Sequence, residues 1–238
     1  MTSNRLSRLE RLLPVLLLPI LPVSAQSPAP AAAAVVSFHY EHAGLPVPEY
    51  TLTVHEDGSG TYAATYAPPP PDPRYGSSVV NQSSAPTQVS RTVSLSSQTT
   101  AKLFERVRST GRFHAGCESK ARNIANTGAK TISYTGPDGA GNCTFNYAED
   151  KAIVALTETF QSIAQTLDEG RSIDLKHRYD RLALDSELSN LAEQVHAGRA
   201  IELATIAPVL QSLCDDAQVM ERVRRRAAGL LEASQVGR

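Results

Sequence analysis

The spacing of apolar residues predicts an α+β fold: a small antiparallel sheet packed on helices, followed by an all-helical C-terminal tail. Residues 49–66, EYTLTVHEDGSGTYAATY, alternate apolar and polar side chains on both sides of an Asp-Gly turn, the mark of a half-buried hairpin. A second alternating pair flanks PDGAGN. From Glu149 onward the apolar period changes to steps of three and four, the helical signal. Strands gathered early and helices gathered late argue α+β rather than alternating α/β.

The first strand is VVSFHYEH, where Val36, Phe38 and Tyr40 alternate with Ser37, His39 and Glu41. AGLPVP links it to the hairpin. There, side-chain parity decides the loop. A two-residue Asp57-Gly58 turn would put the two apolar sets on opposite faces. A Glu56-Asp57-Gly58 loop pairs Leu52 with Tyr62, with Gly58 in the left-handed conformation. Tyr50, Leu52, Val54, Tyr62, Ala64 and Tyr66 then share one face, which needs further strands and a packing partner. Residues 67–87 carry four consecutive prolines and are expected to form a flexible loop at a hairpin edge. Val93 and Leu95 mark another strand. Ser96 and Ser97 offer an N-cap to a helix with Leu103, Phe104 and Val107 on its apolar face, and Gly111 stands at its C-terminal end. Ile132 and Tyr134 open the second hairpin, with Cys143, Phe145 and Tyr147 on its returning face.

Four helices are expected after that. The first has the stripe Ile153, Leu156, Phe160, Ile163 and Leu167 and is expected to end at Gly170. The next is expected over Ile173 to Ala197, with Leu175, Tyr179 and Leu182 leading into Leu184, Leu188, Leu191 and Val195. Residues 200–213 form a shorter helix that Pro208 kinks or splits. Asp215, with Gln218 at the capping-box position, is expected to start the last, striped by Val219, Val223, Ala227 and Leu230. The expected organisation is therefore a sheet-and-helix domain over 35–170 and a helical region over 171–238.

The N-terminus is read as an address, not as fold. Arg5, Arg8 and Arg11 precede the apolar run LLPVLLLPILPV, and Val23-Ser24-Ala25 is a small-residue cleavage signal, so residues 1–25 read as a signal peptide. That run holds three prolines and is too short for a stable span, so the mature chain is expected to have none. Residues 26–34, QSPAPAAAA, read as a disordered leader. The protein is expected to be periplasmic or secreted, cleaved near Ala25. Losing residues 1–25 removes three Arg and one Glu from 23 basic and 24 acidic residues, leaving a charge of about −3 with His neutral. That balance, with no Trp in the chain, excludes the cationic and base-stacking surfaces that nucleic acid requires.

YTLTVHEDGSGTY, VSLSSQTTAKLFERV and TISYTGPDGAGNCTFNY together give strand, Asp-Gly turn, strand, helix, hairpin and helix. This layout resembles that of small exported bacterial domains of unknown function, over about residues 36–167. The resemblance implies an α+β domain and brings no activity and no catalytic residue with it.

Chemistry is sparse. His39, Glu41, His42 and His55 invite a metal reading, but His42 points to the other face of the strand, and polar residues on a solvated sheet face are preferred. Asp174, Asp180, Asp185 and Glu187 alternate with Lys176, Arg178 and Arg181, which favours surface ion pairs over acid–base catalysis. Arg222, Arg224, Arg225 and Arg226 read as a solvated basic face rather than a dock for an acidic partner or lipid. G-x-S-x-G, H-E-x-x-H and P-loop patterns are absent, and no cofactor is called for.

Three cysteines lie in the mature chain, where export favours disulfides. Cys143 belongs to an inward-facing set, and Cys117 lies in the connection that leads into the same hairpin, so Cys117–Cys143 is the expected pair. Closing that loop is worth roughly 3.5 kcal/mol in the chain-entropy picture. Cys214 is left reduced, before an expected helix start that favours its thiolate while Asp215 and Asp216 oppose it. The functional expectation is an exported, non-enzymatic binding or structural module, with another exported protein as a candidate partner. The alternative is an enzyme, such as a hydrolase, whose groups converge only in the folded chain.

Overall fold

Alternation becomes strand pairing in six stretches between Val35 and Phe145. The computed structural model describes residues 33–68, 85–114 and 116–236. The segment read as a signal peptide, most of the expected leader and most of the proline-rich loop lie outside the described residues. Six strands form one antiparallel sheet: β1 (Val35–Glu41), β2 (Glu49–His55), β3 (Ser59–Tyr66), β4 (Thr87–Ser94), β5 (Ala129–Gly136) and β6 (Gly139–Phe145). Their order is β4-β3-β2-β1-β5-β6. Leu52 pairs with Tyr62, so the loop between β2 and β3 has three residues, and Gly58 takes φ 84°. One face of the sheet is buried, through Val36, Phe38, Leu52, Val54, Tyr62, Ile132 and Tyr134.

Two helices cover that face. Helix α1 (Ser97–Ser109) starts at Ser96, whose hydroxyl accepts from the Thr99 amide, and buries Leu103, Phe104 and Val107. Helix α2 (Lys151–Tyr179) starts at Asp150, whose carboxylate accepts from the amides of Ala152 and Ile153. It lays Ile153, Leu156, Phe160, Ile163 and Leu167 on the sheet, and the Phe160 ring stacks on Phe38 at 5.2 Å. The tail adds α3 (Leu184–His196), α4 (Ala207–Asp215) and α5 (Glu221–Val236), with 3-10 turns at Arg181–Ala183 and Leu203–Ile206. Their apolar faces form a second buried cluster, which begins with Ile173 of α2. Among the described residues no helix is long and apolar enough to cross a membrane.

Five local expectations are corrected. Gly170 does not end a helix, because α2 runs on to Tyr179. A Cβ at Gly170 would lie 2.3 Å from Ile206 Cγ2, so the glycine permits a close approach. The helix expected over Ile173 to Ala197 is broken at Asp180, which leaves Leu175, Tyr179 and Leu182 exposed rather than leading into the core. The turn of the second hairpin is only Pro137-Asp138, since Gly136 pairs with Gly139 and Ala140–Asn142 extend β6. Tyr147 falls beyond that strand and is exposed. Asp215 closes α4 instead of starting α5, and Asp216 is the residue whose carboxylate accepts from the Gln218 amide. Pro208 does split its segment, sitting in the first turn of α4 behind the Leu203–Ile206 turn.

Candidate functional site

Inward-facing tyrosines bring a polar problem into the apolar face. A buried phenol needs a partner for its hydroxyl. Tyr62 and Tyr66 lie on one face of β3 and both donate to Asp168 Oδ1, at 2.8 and 2.6 Å. Asp168 follows Leu167 at the edge of the α2 stripe. Burial pushes its carboxyl above the ordinary carboxylate range, against the tyrosine hydrogen bonds and the charges of Arg91 and Arg171, which pull it down. Burial also raises both phenols, so they act as donors across the physiological range. The Arg171 guanidinium sits 4.3 Å from the centre of the Tyr66 ring.

Asp168, Tyr66 and Arg171 line an open cavity of about 870 Å³ between the sheet and the helices. Tyr40, Tyr50 and Tyr66 line it from the sheet, with Leu45, Pro46 and Val47 from the β1–β2 connection. From α2 and α3 come the amides of Gln161, Gln165 and Asn190 and the carboxylates of Asp168, Glu169 and Glu187. Glu187 is held by Lys176 at 2.6 Å and by the Ser172 hydroxyl. Glu169 accepts from Asn190 at 3.3 Å, and burial, then the charge of Glu187, pushes its titration up. Among the described residues neither Asp168 nor Glu169 is in an ion pair.

A larger cavity, about 1160 Å³, opens where α1 begins. Several of its polar groups are already engaged with one another. The Glu202 carboxylate accepts from the Ser96 amide at 2.8 Å, the Ser96 hydroxyl at 2.6 Å and the Thr99 hydroxyl. Arg106 is turned to Thr159 and the Ala155 carbonyl. The cavity beside Asp168 joins aromatic and apolar surface to carboxylates and amides, and is the better candidate.

Apart from Glu187, which lines the cavity, the residues singled out in the sequence lie elsewhere. His39 bonds Thr51 across the solvated side of the sheet at 2.9 Å, His42 faces the Tyr40 hydroxyl, and His55 pairs with Val35 at the strand end. Among the described residues no group of three or more His, Cys, Asp or Glu is placed to hold a metal ion. Three of the four helical acids are in ion pairs, Asp174 with Arg178, Glu187 with Lys176, and Asp185 with both Arg222 and Arg226, while Asp180 accepts from the Ala183 amide. Arg225 reaches Glu221, so most of the basic run is internally matched. Cys117 and Cys143 lie at disulfide distance, with Cα atoms 5.9 Å apart. Cys214 lies in the last turn of α4, the negative end of a helix and not the positive end the sequence reading placed it at. Burial and then Asp215 push its thiol up, which disfavours a reactive thiolate.

Asp168, Glu169 and Arg171 escaped the sequence reading. The available signal was the pair Tyr62 and Tyr66 on a face meant for the core, whose hydroxyls had to find a partner. No protein-family model matches the chain, and no curated protein matches it.

Proposed function

We propose that the protein is an exported binding module that holds a small ligand in the cavity beside Asp168. The reading of export comes from residues 1–25, and the resemblance of residues 36–167 to exported bacterial domains agrees with it. One observation carries the binding role: an open cavity of about 870 Å³ has apolar and aromatic side chains on the sheet side and hydrogen-bonding groups on the helix side. Small-molecule sites share that character and fall at roughly 300–1,000 Å³.

Both halves are testable. The mature protein, recovered from the exported fraction, should begin at Gln26. An uncleaved chain confined to the cytoplasm would remove the export reading. Anilinonaphthalene sulfonate, a fluorescent probe for such cavities, should bind saturably at one site per chain. Gln165→Phe, which narrows the cavity from α2, and Leu175→Glu, which charges its apolar rim, should each weaken binding while leaving the melting temperature near the parent's. Equal binding in both variants would move the site elsewhere.

One observation favours the enzymatic reading. Asp168 is a carboxyl raised by burial beside a second raised carboxyl, Glu169, and such pairs can divide acid and base roles. Turnover of a bound ligand, abolished in Asp168→Asn at saturating ligand, would establish it.

A further inference from the structure

The two sides of the cavity make different demands on whatever fills it. The sheet side offers ring faces and aliphatic surface from Tyr66, Leu45, Pro46 and Val47. The helix side offers acceptors at Asp168 and Glu169 and combined donors and acceptors at Gln161, Gln165 and Asn190. A purely aliphatic ligand would satisfy the first side and strip water from the second without replacing its hydrogen bonds, which is unfavourable. An anionic ligand meets the carboxylates of Asp168, Glu169 and Glu187, and a cationic one meets the Arg171 guanidinium in the same wall. Glu187 has Lys176 at 2.6 Å, Arg171 lies over Tyr66, and Arg91 and Arg171 both act on Asp168.

We infer that the ligand is a neutral saccharide. The inference rests on the cavity reading above and names the chemistry of its occupant. A sugar ring presents C–H faces that pack on tyrosine and aliphatic surface. Its hydroxyls donate to carboxylates and exchange hydrogen bonds with side-chain amides. Asp168 is suited to that role because its orientation is fixed by two tyrosine hydroxyls on one oxygen, at 2.8 and 2.6 Å. Three carboxylates and three amides around one cavity give directional acceptors and donors.

The chain has no Trp, so Leu45→Trp places a single indole reporter at the cavity's apolar rim. This variant is titrated with maltotriose, cellotriose and triacetylchitotriose, and separately with decanoate and decyltrimethylammonium. Calorimetry on the parent protein checks each titration. At least one trisaccharide should shift the indole emission saturably. Gln165→Ala and Asp168→Asn in that background should each weaken binding by roughly tenfold, the loss of one good hydrogen bond. Gln165→Ala keeps the test open if Asp168→Asn fails to fold, since Gln165 is only half-buried on the α2 surface. Binding of an aliphatic amphiphile with no response to any of the sugars at millimolar concentration would overturn the saccharide and leave the binding module standing. No response to the sugars, the amphiphiles or anilinonaphthalene sulfonate would overturn both.

Discussion

Asp168 satisfies two phenols by giving up part of its own hydration. Its carboxyl titrates above the ordinary range, with burial as the main cause. A carboxyl raised in the folded chain binds its proton more tightly there than in the unfolded chain. Its charged form therefore costs stability above the raised value, and that cost is relieved as pH falls through it towards the ordinary range. Asn at this position keeps a carbonyl that can accept from Tyr62 and Tyr66 and has no charge to bury. Asp168→Asn should melt at or above the parent at neutral pH, and the gap should narrow as pH falls to about 4. Melting curves across that interval decide it, and a gap that widens in acid would contradict the assignment. The sequence could not reveal this site because its partners are 106 and 102 residues apart, joined only when the β2–β3 hairpin meets the edge of the α2 stripe. By contrast, Gly58 was legible, since parity alone demanded an odd loop and a residue tolerant of φ 84°.

Helix α2 shows how one letter can carry two meanings. A glycine after an apolar stripe signals a helix end. The same glycine inside a helix signals a neighbour too close for a side chain, and only the fold tells them apart. Gly170 is buried mid-helix, with Ile206 against it. Propensity alone predicts that Gly170→Ala gains about 1 kcal/mol. The methyl would overlap Ile206 Cγ2, and overpacking typically costs about 1–3 kcal/mol. The expected result is a net loss, with the melting temperature lowered. Ile206→Ala should couple to it, so that the double variant loses less than the two single losses together. Simple stabilisation by Gly170→Ala would show that Ile206 yields freely. The same ambiguity explains Leu175, Tyr179 and Leu182: their spacing continued a helical pattern, but the break at Asp180 turned α3 away and left Tyr179 and Leu182 exposed at 81% and 83%. The stripe of α3, and that of α5 from Val223 onward, were legible because each repeats within one helix that buries it, whereas Val219 is buried from the bend before α5.

At the scale of the whole molecule, two apolar clusters are strung along α2, one under the sheet up to Leu167 and one with the tail from Ile173. The stretch between them carries polar and close-packed ties to the segment before α4. Thr166 donates to the Ile201 carbonyl at 2.7 Å, Gly170 meets Ile206, and Glu202 reaches across to Ser96 and Thr99 at the start of α1. Glu202 adopts φ 59° to do so, a conformation that costs a non-glycine residue roughly 1–2 kcal/mol and persists only where surrounding contacts hold it. Removing residues 171–238 would cut α2 mid-length, expose the face of Gly170, and leave the first donors of α1 without their carboxylate. The expected product is an aggregation-prone protein without a single cooperative transition. Glu202→Ala in the full chain should lower the melting temperature measurably by removing the same carboxylate alone. A truncated protein that stays monomeric by light scattering and melts cooperatively at the parent's temperature would show that the ties through Glu202 and Ile206 contribute nothing to the sheet's stability.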